Sequence, residues 1–193
     1  MKKIFKYFLF VVLFAAFSCS ETYTPKPRGY FRIEFPEKQY VRFKSDAPFS
    51  FEIPKYSVMV IDSAYDAELW WYNLNFPAMK GTIHLSYKKV NNNIAAYVED
   101  ARELVNKHTI KADAIDPQVM EFKDRNVIAV LFEIKGDAAT PYQFFATDST
   151  SHFLRGSLYF NVYPNKDSLA PVVDFIKKDI FRLVETLEWN KNN

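Results

Sequence analysis

The feature that most constrains the fold is a series of short segments in which apolar and polar residues alternate. Alternation with a period of two predicts strands that bury one face of a sheet. Such strands are predicted in five segments: 49–53, 70–76, 82–87, 144–146 and 154–162. A sixth segment, 127–134, is apolar almost throughout, as expected for a central strand that is covered on both faces.

Two longer segments have the period of amphipathic helices. In 94–105 the apolar residues share one face and the charged residues share the opposite face. In 169–187 the apolar residues form one long stripe, which leaves Lys177 on the opposite face. The expected N-caps are polar residues before each stripe: Asn92 or Asn93 for the first helix, and Asp167 or Ser168 for the second.

The order of these elements, strands then a helix and again strands then a helix, predicts an α+β fold. Parallel strands require long crossover connections, and most links between the predicted strands are short. We therefore expect a mainly antiparallel sheet flanked by the two main helices. By analogy this arrangement is similar to the PsbP/Mog1-like sandwich, although an analogy of fold does not determine function.

The beginning of the chain is typical of an export signal. Three lysines within the first six residues precede the apolar run 8–17, which is shorter than the roughly 20 residues of a spanning helix. Residues 16–19 (AFSC) resemble a lipobox, the motif at which a Cys receives lipid, and Cys19 is the single Cys of the chain. An ordinary signal peptide followed by a chance Cys is the alternative.

These features divide the chain into three parts. Residues 1–18 are the predicted lipoprotein signal peptide, and 19–28 contain the lipidated Cys and a polar tether with two prolines. Residues 29–193 form the predicted single α+β domain. The anchor would hold this domain to a membrane of the cell envelope, facing the periplasm, and the sequence does not choose between inner and outer membrane.

Composition excludes several classes of function. A formal charge of +2 in 193 residues is too balanced for binding to nucleic acid by phosphate neutralisation. Only 4 glycines are present, which argues against glycine-rich phosphate loops, and one Cys excludes an internal disulfide or a Cys-based zinc cage. We therefore predict no cofactor, no metal and no nucleic-acid partner.

Residues that could carry chemistry are few and lack catalytic spacing. The three histidines, His84, His108 and His152, show no zinc-binding spacing. Some carboxylates are close enough in sequence to be weighed as glycosidase pairs or, for the last pair, as a cation site: Asp62 with Asp66, Glu99 with Asp100 and Glu103, and Asp113 with Asp116. Solvated loops and helix faces explain them better, so we predict a protein that is not an enzyme.

The segment after the tether mixes basic and aromatic residues. Arg28, Tyr30 and Arg32 alternate by two, so a strand here would place all three on one face. Arg and Tyr are frequent anchors of protein interfaces, which makes these three residues the predicted interaction site. Packing of this segment on the sheet as a first strand is the alternative.

Several stretches of the mature chain together resemble the gliding motility lipoprotein GldD family. They are PKPRGYFRI (25–33), FPEK (35–38) with Tyr40, KGTIHLSY (80–87), Asp148-Ser149, HFLRGSLYF (152–160), PNKDSL (164–169) and Pro171-Val172. The resemblance implies a Bacteroidetes envelope lipoprotein that gliding motility requires, within a machinery tied to the type IX secretion system. It assigns a defined role only to Cys19, as the lipid attachment point, and carries over no catalytic residue.

The resulting prediction is a lipid-anchored, non-enzymatic accessory or assembly component of the gliding and secretion machinery. Its expected partners are other envelope proteins of that machinery and the membrane that holds the anchor. The alternatives are an envelope hydrolase and a module that binds a small apolar ligand in an aromatic pocket.

Overall fold

The structure is a computed structural model, and it describes residues 33–190. Within that range the chain forms ten strands, two α-helices and one short 3-10 helix, Pro77–Met79. The strands are β1 Tyr40–Phe43, β2 Phe49–Pro54, β3 Val58–Ile61, β4 Tyr72–Phe76, β5 Gly81–Lys89, β6 Ala112–Phe122, β7 Val127–Gly136, β8 Tyr142–Thr147, β9 His152–Phe160 and β10 Glu188–Trp189. The helices are α1 Ile94–Asn106 and α2 Lys166–Glu185.

The described strands form two antiparallel sheets. The larger sheet has seven strands in the order β3-β4-β5-β9-β8-β7-β6, and the smaller has three in the order β1-β2-β10. Short links join most neighbours in the large sheet, and the turns at Asn126 and Ser149 use positive φ angles of 52° and 68°. The fold is therefore the predicted α+β arrangement with antiparallel sheets.

Two apolar clusters lie on opposite faces of the large sheet. On one face α2 and the small sheet cover the main core, whose fully buried members include Phe49, Phe51, Leu85, Leu158, Ile176 and Ile180. On the other face α1 packs over a smaller cluster that contains Phe132, Phe145 and Phe153. In β7, Ala129 and Leu131 belong to the main core, whereas Phe132 and Ile134 belong to the smaller cluster, which confirms the prediction of a strand covered on both faces.

The sequence missed four strands: β1, β3, β6 and β10. β6 is an edge strand in which Pro117 and exposed acidic residues interrupt any alternation. β3 and β10 are short, with four and two residues. Segment 70–76 was predicted as one strand, but Trp70 has a φ of 64° and the strand begins only at Tyr72.

Two predictions about the helices need correction. The N-cap of α2 is Asn165, whose side chain accepts a hydrogen bond from the Ser168 backbone N–H, rather than Asp167 or Ser168. Lys177 is not on a free face, because its Nζ lies 3.1 Å from a Glu133 carboxylate oxygen. Neither described helix is long and apolar enough to cross a membrane.

Candidate functional site

The predicted site residues lie outside the described part of the chain. Cys19, Arg28, Tyr30 and Arg32 all precede residue 33. Their roles in lipid attachment and in partner binding therefore stay predictions.

The three histidines have separate surroundings. The imidazole of His84 bonds to the Asn73 side chain at 2.6 Å, and that of His152 bonds to the Tyr87 hydroxyl at 2.7 Å. Burial is the first cause that lowers the pKa of each, including His108. Residues 33–190 contain no group of three or more His, Cys, Asp or Glu side chains that could hold a metal ion.

The carboxylates weighed from sequence are paired or exposed. Asp113 lies 2.6 Å from Lys166 Nζ, and Asp116 lies 2.7 Å from Lys135 Nζ, so each has a lysine partner of its own. Asp62 accepts a hydrogen bond from the backbone N–H of Ala64. The acidic residues of α1 lie on its exposed face: Glu99, Asp100 and Glu103.

The most unusual polar group in the described residues is a buried carboxylate on α2. The Asp179 side chain is 0% exposed. It accepts three hydrogen bonds: from Lys38 Nζ at 2.7 Å, from the Tyr40 hydroxyl at 2.9 Å and from the Tyr56 hydroxyl at 2.6 Å. We call these four residues the Asp179 cluster.

The donors of this cluster come from two segments that are distant from α2 in sequence. Lys38 and Tyr40 lie where the chain enters β1, and Tyr56 lies in the turn between β2 and β3. Lys38 Nζ also donates to the Phe175 carbonyl at 2.9 Å and to the Tyr56 hydroxyl at 2.6 Å. All three ammonium hydrogens therefore have an acceptor within the protein.

Aromatic contacts support the same attachment. The rings of Phe35 and Phe175 stack with centroids 4.3 Å apart, and Lys38 Nζ lies 3.4 Å from the Phe175 ring centroid. A cation over an aromatic face is attracted by the ring quadrupole, most strongly where water is excluded. Residues 35–40 are thus fixed along one side of α2.

Burial and hydrogen bonding shift the pKa values of the three donors in this cluster. Burial, followed by the hydrogen bond to Asp179, raises the pKa of Tyr40 and of Tyr56 far above the usual range. Burial lowers the pKa of Lys38, while the hydrogen bond to Asp179 opposes this shift. At neutral pH both phenols therefore remain protonated donors to Asp179, and the cluster holds the entering chain against α2.

Sequence reasoning missed this cluster, although a signal was present. Asp179 stands directly before Ile180 and three residues after Ile176, inside the apolar stripe of α2. An acid there must find partners because a buried unpaired charge is costly. The partner Lys38 is 141 residues away, which is why the sequence alone does not reveal it.

Two stretches that carry the family resemblance meet in the sheet. Segment 80–87 lies in β5 and segment 152–160 is β9, and the two strands pair antiparallel from Gly81 with Phe160 to Lys89 with His152. A comparison with known families matches residues 20–189 to the gliding motility lipoprotein GldD. The chain belongs to this family. The GldD match spans nearly all of the described residues and also residues 20–32, which precede them.

Solved structures support the fold assignment. A cyanobacterial PsbP (CyanoP) from Synechocystis sp. PCC 6803, known from a solution structure, has a TM-score of 0.51 with 7% sequence identity. The similarity covers 85% of this chain and 99% of the CyanoP chain. At this identity it shows a shared PsbP-like fold alone. No curated protein matches the chain significantly.

Proposed function

We propose that this GldD family member is a non-enzymatic accessory of the gliding and type IX secretion machinery that acts through protein–protein contacts. It is held to an envelope membrane through Cys19, with its domain facing the periplasm. The family match supports the lipoprotein and motility part of this proposal. The observation that carries the protein-contact part is the exposed edge of the large sheet at β3.

Strand β3 forms a short, apolar edge of the large sheet. Its side chains Val58, Val60 and Ile61 are 51%, 41% and 73% exposed. The strand contains no charged residue and no proline. Proteins usually protect edge strands with such residues, because free backbone N–H and C=O groups recruit other strands.

The opposite edge of the same sheet is protected in the usual way. Strand β6 carries Asp116, Pro117 and Glu121 among its exposed residues. Pro117 removes one backbone donor, and the charges discourage pairing with an apolar strand. The two edges therefore differ in what they permit, and only the β3 edge is suited to accept a strand.

The chemistry around β3 specifies the partner segment. Asp62 and Asp66 follow the strand, and neither is a member of the ion pairs found within residues 33–190. An extended apolar segment of an envelope protein, with a basic residue beyond its end, would add a strand to the sheet and meet these carboxylates. Backbone hydrogen bonds would supply affinity and the side chains would supply specificity.

We expect Val60→Lys to abolish gliding while the melting temperature and envelope abundance stay at wild-type levels. The change places a charge on an exposed edge position, where surface substitutions usually alter stability by less than about 0.5 kcal/mol. Val119→Lys on the protected edge, at a position 69% exposed, is the matched control and should glide normally. Normal gliding of the Val60 variant would contradict the proposal.

A photo-crosslinker at position 60 identifies what occupies the edge. The proposal requires an adduct with another envelope protein that disappears in the presence of Asp62→Lys and Asp66→Lys, and no adduct from position 119. An adduct with the mass of two copies of this chain would instead assign the edge to self-association.

The anchor prediction concerns Cys19. We expect Cys19→Ala to abolish incorporation of labelled fatty acid and to leave an uncleaved or soluble product, because no other residue supplies a thiol. Labelling followed by membrane fractionation checks this. Labelled, membrane-bound Cys19→Ala protein would refute the lipid attachment.

The Asp179 cluster gives the anchor a mechanical role in this proposal. A lipid on Cys19 would pull on the domain through the chain that enters it at residue 33, and Lys38 and Tyr40 fix that chain to α2.

Arg28, Tyr30 and Arg32 lie between anchor and cluster in sequence, and we retain them as a second proposed contact surface. A ligand-binding role is the second candidate, favoured by a cavity beside α2.

A further inference from the structure

The large sheet carries a polar surface on the face that α1 covers only in part. Arg155 lies opposite Ser86 in the pairing of β9 with β5, and His84 lies opposite Asn73 in the pairing of β5 with β4. Phe153, two residues before Arg155 in β9, belongs to the cluster beneath α1, so these residues share the α1 face. Strands β5 and β9 contain two of the stretches that carry the family resemblance, and the proposed contact at the β3 edge does not use this surface.

Arg155 is a partly buried cation that has no carboxylate partner among the described residues. Three other partly buried arginines each pair with a carboxylate: Arg42, Arg125 and Arg182. Arg155 is in none of the ion pairs found within residues 33–190. Burial lowers the pKa of Arg155, and within the same residues only the Tyr159 phenol opposes this shift. Burying a charge without a partner is costly, so an anion at this position would stabilise the site.

The guanidinium of Arg155 is reachable and mostly free of hydrogen bonds. Its Nη2 donates to Gln143 Oε1 at 2.8 Å, which is its one hydrogen bond within residues 33–190. A guanidinium has five N–H donors, so four are left without an acceptor there. No nitrogen of Arg155 is among the enclosed, unpaired polar atoms of the described residues, so the free donors face solvent. Gln143 therefore orients a planar set of donors that matches the two oxygens of a carboxylate.

His84 supplies a hydrogen-bond acceptor on the same surface. Its Nδ1 lies 2.6 Å from Asn73 Oδ1, and Nδ1 carries the hydrogen because an amide oxygen only accepts. Burial lowers the pKa of His84, with Asp62 opposing the shift and Arg155 adding to it. The imidazole is therefore neutral at pH 7, and Nε2, which has no hydrogen-bond partner within residues 33–190, is an acceptor. The Tyr159 ring lies beside the imidazole, with centroids 5.7 Å apart.

We propose that this surface binds a hydroxylated carboxylate, as in an acidic sugar. The carboxylate lies on the Arg155 guanidinium, a neighbouring hydroxyl donates to His84 Nε2, and the sugar ring lies against the Tyr159 ring. A carboxylate without hydroxyls would leave Nε2 without a donor. A phosphate dianion is disfavoured, because its oxygens would meet both the Nε2 lone pair and the nearby Asp62 carboxylate. The surface is separate from the β3 edge, so ligand binding and partner binding can fail independently.

Saturation-transfer NMR of the full lipidated chain in phospholipid nanodiscs tests the ligand class, with empty nanodiscs as the blank. The probes are D-glucuronate and D-galacturonate, compared with D-glucose, cyclohexanecarboxylate and glucose 6-phosphate. We expect saturable binding of at least one uronate, at least about tenfold tighter than the other three probes. No saturable uronate binding, or equal binding of cyclohexanecarboxylate or glucose 6-phosphate, would overturn the proposal. Trigalacturonate identifies the source, since tighter binding than the monomer assigns a glycan chain and equal binding a free acid.

Variants of Arg155 locate the binding. Arg155→Met should weaken uronate binding by at least about tenfold while the melting temperature stays at or above the wild-type value, because no ion-pair partner is left behind. Arg155→Lys keeps the charge without the planar set of donors and should also bind more weakly than wild type. Unchanged uronate affinity in folded Arg155→Met protein, or in Arg155→Lys if the Met variant does not fold, would refute the site.

A change at His84 tests the hydroxyl contact separately. His84→Phe should weaken uronate binding by about tenfold and leave the weak binding of cyclohexanecarboxylate unchanged, because only the hydroxyl uses Nε2. Arg102→Met, which removes an exposed arginine of α1, is the matched control and should bind as wild type does. Equal weakening of both ligands by His84→Phe would contradict the proposed contact between His84 and the hydroxyl.

Discussion

Replacing Asp179 by Ala is expected to lower the free energy of unfolding by about 3–5 kcal/mol. The substitution leaves the Lys38 ammonium and the Tyr40 and Tyr56 hydroxyls without their shared acceptor. Removing one partner of a buried ion pair is costly, because the other charge stays in a poorly solvated place. Urea denaturation followed by tryptophan fluorescence measures the change.

The neighbouring residue provides the control. Lys178 is exposed on the same turn of α2, and Lys178→Ala should change the free energy of unfolding by less than about 0.5 kcal/mol. Equal losses for the two variants would show that this turn of α2 is sensitive to any substitution, whether or not the side chain belongs to the Asp179 cluster. A loss below about 1 kcal/mol for Asp179→Ala would mean that the cluster is too well hydrated to hold the chain.

A double substitution tests whether Lys38 and Asp179 stabilise the protein mainly by pairing with each other. Lys38→Met alone should also destabilise the protein, because the buried carboxylate then keeps only its two tyrosine donors. Lys38→Met combined with Asp179→Leu should cost less than the two single losses added together, because no buried charge is left unpaired, although the Tyr40 and Tyr56 hydroxyls still lose their acceptor. A sum of single effects in the double variant would contradict direct coupling between the two residues.

The sequence patterns predicted those strands and helices whose buried residues recur with a regular period. The alternation in segment 82–87 and the stripe in 169–187 correspond to β5 and α2, since one face of each packs on the same core. Strand β6 escaped prediction because an edge strand needs no alternating burial and Pro117 is tolerated there. Its presence follows from pairing with β7, which a single sequence does not show.

The candidate sites depend on contacts between distant segments. Lys38 lies in a stretch that mixes basic and aromatic residues, and nothing near it in sequence shows that it meets Asp179. The cavity is formed jointly by α2, a hairpin and the end of β9, so no single motif encodes it. The β3 edge was missed because its sequence is four consecutive apolar residues, which do not show from sequence alone that their side chains are exposed.

Gly156 lies in β9 where a larger residue would collide with the core, although its φ is not positive. It pairs with Phe144 on β8 and with Leu85 on β5. A methyl group at Gly156 would overlap the ring of Phe144, which is itself 2% exposed. The absence of a side chain therefore allows the ring to lie over the backbone of the central strand.

We expect Gly156→Ala to lower the free energy of unfolding by about 1–3 kcal/mol or more, as overpacking of a filled core does. Gly81→Ala is the matched control, because its methyl group would lie 3.2 Å from the nearest atoms of Ile176 and Phe160, a tight contact without overlap. It should cost less than the change at Gly156. Urea denaturation of both variants provides the comparison.

Removing the Phe144 ring tests whether its overlap with the new methyl group causes the loss of stability in Gly156→Ala. Phe144→Leu alone should destabilise the protein by leaving space in the core. Combined with Gly156→Ala, it should cost less than the two single losses added together, because the new methyl group occupies part of that space. A coupling of about 0.5–3 kcal/mol is the range for residues in contact. Strictly additive losses would show that the backbone conformation at Gly156, and not the overlap with the Phe144 ring, makes glycine necessary at this position.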